Sequence, residues 1–171
     1  MLNSLKKIGS KEDFFSLFLN SNWSISKEFI NNKNWIAVPV PNNLTLIESE
    51  WMSNAIHSLH VNKYLEYTFE FNGDISIKII ENNQNNIFYS DFNNSDKYVI
   101  LTNDNLDFLY FKNQNNLYHL FCGEYDFIYQ CLKCSHKTAE NIFFYYGVND
   151  YDENTDEYLY LKDIWEYYSK P

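Results

Sequence analysis

Apolar residues recur in this chain at two spacings, and the spacing switches several times along its length. Between positions 42 and 60 it is helical: Ile47, Trp51, Ala55 and Leu59 lie four apart, with Met52 and Ile56 beside them. Thr45 and Glu48 have capping-box spacing, a hydroxyl and a carboxylate that each satisfy an orphan backbone N–H. Pro39 and Pro41 close whatever precedes. The expectation is an amphipathic helix whose Ile47-to-Leu59 stripe faces the core, with the rest of the chain organised around it.

The period then falls to two. Leu65, Tyr67, Phe69 and Phe71 alternate with Glu66, Thr68 and Glu70, and Ile75, Ile77 and Ile79 alternate with Ser76 and Lys78. Asn72-Gly73-Asp74 between them signals a hairpin. A two-residue loop would set Phe69 opposite Ser76 and mix the faces; a three-residue loop sets Phe69 opposite Ile77 and Phe71 opposite Ile75, and is preferred. Glu66, Glu70 and Lys78 then share a solvent face. Further strands are expected at 87–91, 97–102, 106–112 and 117–122, with asparagine-rich turns between them; 104–110 has a helical turn as its alternative. Trp35 to Pro41 reads as a short strand whose prolines suit an edge.

Helical spacing returns at both ends. Ser10 is placed to cap a helix carrying Phe14, Leu17 and Phe18, while positions 23–30 are ambiguous. Beyond Gly123, a helix is expected with Tyr125, Ile128, Tyr129 and Leu132 on one face. Another runs from Lys137 to Tyr146 with Ala139, Ile142, Phe143 and Tyr146 inward and Gly147 as its C-cap. A last helix opens at Asp156 and Glu157 and presents Tyr158, Leu161, Ile164, Trp165 and Tyr168. With no repeat and no linker, residues 1–171 read as a single α+β domain: a mainly antiparallel sheet of about five to six strands packed against several helices.

Charge narrows the functional classes. The formal net charge is −10, and all 13 basic residues are lysine. Nucleic-acid binding, which needs cations against phosphate, is not expected. Without arginine there is no bidentate fork for phosphate or carboxylate and no arginine finger. An acidic surface suits a basic partner, although acidity also serves solubility alone. Three cysteines form no even framework, which favours a reducing compartment. The apolar run at 14–19 is too short for a secretory signal, and no run approaches the ~20 apolar residues of a membrane span. A cytoplasmic protein that does not engage a membrane is expected.

Three groups of residues carry candidate chemistry. Asp150, Tyr151, Asp152, Glu153, Asp156 and Glu157 form the densest acidic stretch, with Tyr151 and Tyr158 interleaved. They are the candidate partner-binding residues: carboxylates for a cationic surface and tyrosine as an anchor. The plainer account is local, since acids favour a helix N-terminus and keep a loop wet. Cys122, Cys131, Cys134 and His136 offer zinc-type ligands, but only the Cys131–Cys134 spacing fits a standard site, and small buried hydrophobes are the simpler reading. His57 and His60, with Glu50 two turns before His57, lack the arrangement that sets a base beside a metal and read as a helix flank. No glycine-rich phosphate loop and no nucleophile elbow is present. No catalytic residue, metal or cofactor is assigned.

Several segments together resemble the immunity proteins of bacterial contact-dependent growth inhibition and related polymorphic toxin systems. They are Trp35-Ile36-Ala37-Val38-Pro39, the Glu48-Ser49-Glu50-Trp51 helix start, Tyr64-Leu65-Glu66-Tyr67-Thr68, and Leu117 to Gly123 followed by two helices and a terminal aromatic helix. The resemblance is spread over most of the chain. It implies a small cytoplasmic binder that plugs a cognate toxin domain, often a nuclease, and no bond-making chemistry. It assigns no site residue. The competing readings are a small zinc-dependent enzyme or regulator built on the Cys/His group, and a phage or structural interaction protein.

Overall fold

Antiparallel pairing dominates the architecture. The computed structural model describes residues 11–71, 73–148 and 153–169. Among them, the chain order is α1 (Lys11–Phe18), α2 (Lys27–Asn32), β1 (Ile36–Pro41), α3 (Leu46–Ser58), β2 (Lys63–Phe69), β3 (Ser76–Glu81), α4 (Gln84–Phe92), β4 (Tyr98–Thr102), β5 (Phe108–Lys112), β6 (Tyr118–Gly123), α5 (Tyr125–Leu132), α6 (His136–Gly147) and α7 (Asp156–Ser169). The strands form one sheet in the order β1-β6-β5-β4-β2-β3, every neighbouring pair antiparallel. The fold is α+β, as the periodicities indicate.

The middle of the sheet is a meander. Asparagine builds both its turns: the Asn103 side chain accepts the Asp107 N–H at 2.8 Å, and Leu106 and Asn116 adopt φ of 55° to complete them. Side chains alternate between two covered faces. One row runs Glu66, Leu101, Tyr110, Phe121, Val38 across five strands. This face meets α4 through Tyr64 and Ser90 and α5 through the stacked rings of Phe108 and Phe127, 5.4 Å apart. The opposite row runs Tyr67, Ile100, Phe111, Leu120, Pro39. That face meets α1 through Phe14, 4.7 Å from Tyr67, and the α2 and α7 region through Tyr118 and Tyr168. Covering both faces explains why β4, β5 and β6 are apolar nearly throughout.

Helix α3 forms where the capping box places it. Thr45 Oγ1 accepts the Glu48 N–H at 3.2 Å, and Glu48 accepts the Thr45 N–H at 2.8 Å. Its buried side, however, is Ser49, Met52, Ser53, Ala55 and Ile56; Ile47 is 59% exposed. The stripe is rotated because α4 and α5 both pack against the helix, and its buried side takes in the two serines. Replacing Thr45 with Ala removes one half of the cap and is expected to cost about 1 kcal/mol, read from urea unfolding midpoints at constant slope.

Other expectations are corrected. Residues 87–91 are not a strand but the body of α4, whose N-cap Asn83 accepts the Asn86 N–H at 2.9 Å. The strand expected at 106–112 is present over 108–112, and the alternative helical turn is not formed there. The hairpin pairs Tyr67 with Ile77 and Leu65 with Ile79, two residues away from the expected register but with the same face kept apolar. Glu66 does not face solvent; it is 4% exposed and takes an ion pair from Lys78 at 3.5 Å. On α5 the inward residues are Phe127, Ile128 and Cys131, while Tyr125 and Tyr129 stand outside. On α6, Ala139 and Phe143 are buried, whereas Ile142 and Tyr146 point out. Gly147 is the last residue of α6 rather than its cap: a Cβ there would sit 2.9 Å from Leu161 and 3.3 Å from Pro41. The Ser10 cap and Asn72 of the hairpin loop lie outside the described residues.

A candidate partner-binding surface on the last two helices

Helices α6 and α7 pack on each other and along β1. Their mutual contact is aromatic: Phe143 and Phe144 lie 5.4 and 6.2 Å from Trp165, and Phe144 lies 5.4 Å from Tyr158. Thr155 starts α7, its hydroxyl accepting the Tyr158 N–H at 3.2 Å. Asp156 and Glu157 occupy the first turn, where negative charge complements the helix dipole, so their placement has a local cause. Asp156 and Glu153 are exposed. Asp150, Tyr151 and Asp152 lie outside the described residues.

Beside this helix start runs a groove of about 730 Å³, bordered by Lys137, Glu140, Phe144, Tyr145 and Tyr158. Lys137 is tied to Glu140 at 2.9 Å. Tyr145 and Tyr146 are 69% and 62% exposed, with their rings edge to face at 4.8 Å. These two tyrosines escape the sequence pattern, which marks Tyr146 as inward; the signal is that Phe143 and Phe144 already complete the buried face. The acids therefore do not stand alone. Tyr158, next to them in the first turn of α7, lines the same groove as the exposed Tyr145, an arrangement that offers charge to a cation and area to its neighbours.

The other candidates separate. Cys122 projects from the sheet face that holds Tyr168, whereas Cys131 sits on α5 against the opposite face, so the sheet lies between them. Burial pushes both thiols well above their ordinary pKa. Among the described residues, no three His, Cys, Asp or Glu side chains converge as metal ligands. His136 packs on Trp165 at 5.1 Å. His57 is exposed in the last turn of α3, and His60, also exposed, lies beyond the helix with φ of 60° rather than on its flank.

A buried polar group on the α4 side has no sequence signature. Tyr110 donates to Asp91 Oδ2, and Lys112 donates to the Asn94 carbonyl and, at 2.9 Å, to Asn116 Oδ1. His119 Nδ1 lies 2.9 Å from the Asn42 carbonyl oxygen. Burial pulls the Lys112 amine below its usual pKa, opposed by Asp91 and Asp96. Their partners are turns and helix ends that they lock to the sheet.

Comparison with known proteins finds no matching family model, no similar curated protein and no similar solved structure. Among the described residues, no helix is long and apolar enough to cross a membrane.

Proposed function

We propose that the chain is an immunity protein that binds a cognate, basic toxin domain in the cytoplasm and neutralises it by covering its active site. A nuclease is the toxin class that fits best, because its cleft must carry the cations that hold phosphate. The observation that carries this reading is the α6–α7 surface. From residue 135 onward the chain has eight carboxylates against three lysines. In the fold, the groove that Tyr145 lines also takes in Glu140 and Tyr158, and Tyr158 follows Asp156 and Glu157 in the first turn of α7. Carboxylates there would pair with the lysines and arginines of the toxin, and the tyrosines would supply buried area. Binding, not catalysis, is the activity.

The test is co-expression with the toxin domain encoded immediately upstream. The protein should restore growth and co-purify with the toxin. Replacing Tyr145 and Tyr146 together by Ala should weaken the complex by about tenfold or more while leaving the isolated fold intact, since both rings are largely exposed. Failure to rescue growth, with no complex recovered, contradicts the reading.

A further inference from the structure

The two edges of the sheet are treated unequally. At β1, Pro39 and Pro41 remove backbone donors, and α6 and α7 pack along the strand. At β3, no described strand pairs beyond the edge. Five of its six residues are exposed, and Ile77 and Ile79 reach 59% and 70% exposure on the same face. Phe71, 55% exposed, lies in the turn that leads into it. A bare, apolar, unpaired strand is a template for another strand, and folded proteins ordinarily blunt it. Here it is left open.

Charge selects the occupant. Lys63 pairs with Glu81 at 2.9 Å and Lys78 with Glu66 at 3.5 Å, so each charge on β3 is neutralised by β2. In a chain of net charge −10, the paired charges along this strand offer an equally acidic molecule little repulsion, with the exposed Asp74 standing just before it. Those ion pairs leave the strand itself little to attract a strongly cationic partner.

We propose that the β3 edge binds the β3 edge of a second copy of this chain, joining two six-stranded sheets about a two-fold axis. The axis stands perpendicular to the sheet, which keeps faces continuous and pairs residues of like parity. Centred on Ile77, it sets Ile77 against Ile77 of the second copy and Ile75 against Ile79, with Ser76 opposite Lys78 on the other face. Centred on Lys78, it would oppose two ammonium groups, so the Ile77 centre is the one selected. This dimer is independent of the toxin reading, since it leaves α6 and α7 free.

The experiment is sedimentation of the full chain over a dilution series, with Ile77→Lys and, in a Cys134→Ser background, Ile77→Cys. The wild-type chain should sediment as a dimer at the higher concentrations. Ile77→Lys should associate at least tenfold more weakly with an unchanged circular dichroism spectrum, and oxidised Ile77→Cys should run as a covalent dimer. A wild-type monomer at every concentration, or a dimer indifferent to Ile77→Lys, overturns the proposal. An Ile77→Cys chain that does not cross-link overturns the placement of the axis.

Discussion

Above about pH 10 the protein is expected to unfold cooperatively, and tyrosine is the cause. Burial raises the phenols of Tyr64, Tyr110, Tyr118 and Tyr168 well beyond the ordinary value of 10.0, and Tyr67 to about 12. These side chains are all less than a tenth exposed. Between the unfolded and folded values, the unfolded chain has released protons that the native state retains. The stability they contribute is therefore intact below pH 10 and lost as pH climbs toward the folded values. Each group withdraws about 1.4 kcal/mol per pH unit, so five acting together withdraw up to about 7. That rivals the whole stability of a typical domain, about 5–15 kcal/mol, within one to two units. Lys112 runs the other way: its amine, pulled down by burial, gains stability as pH rises, and one group does not offset five. The tyrosinate absorbance of the buried phenols should appear in the same step in which the far-ultraviolet circular dichroism is lost. Gradual ionisation of every tyrosine with the sheet signal intact would contradict this.

Replacing Phe69 with Ala is expected to cost about 3–5 kcal/mol, the range for emptying a large aromatic site in a core. Phe69 is 1% exposed and stacks on Tyr98 at 5.2 Å with ring planes 8° apart. It also meets Phe14 and Phe15 of α1 at 5.8 and 5.3 Å and Trp23 at 6.2 Å. Its loss opens a void and loosens the grip of α1 on the sheet together. Phe71 is the comparison: two residues on, it is 55% exposed and its ring meets Trp23 at 4.7 Å, so its removal should cost only about 1 kcal/mol. Urea unfolding of both variants decides the matter. Equal destabilisation by the two would show that Phe69 is not the hub of this aromatic group.

Local chemistry wrote some elements legibly and tertiary cover hid others. The Thr45–Glu48 cap, the prolines of β1 and the asparagine turns each act within a few residues, so spacing alone reveals them. Strand alternation revealed β2 but not its burial: Glu66 reads as a solvent residue only if one face of the sheet is wet there, and at β2 both are covered. Helix α4 was obscured because Ile87-Phe88-Tyr89 has strand composition and its cap lies inside an asparagine run. Ile87 and Asp91, one turn apart and both buried, show the helical period that a five-residue window conceals. At the candidate surface, the acids of α7 were visible as a charge cluster. The tyrosines beside them were not, because α5 and α6 each carry more aromatic residues than one face can bury.

On the proposed reading, the acidic start of α7 meets the cationic cleft of the toxin. The most direct measurement is the association rate with the co-encoded toxin domain across ionic strengths, for the wild-type chain and for Glu153→Lys combined with Asp156→Lys. The wild-type rate should fall steeply as salt rises, and the double reversal should slow it by about tenfold or more at low salt. A rate flat with salt and identical for the two chains would contradict the account.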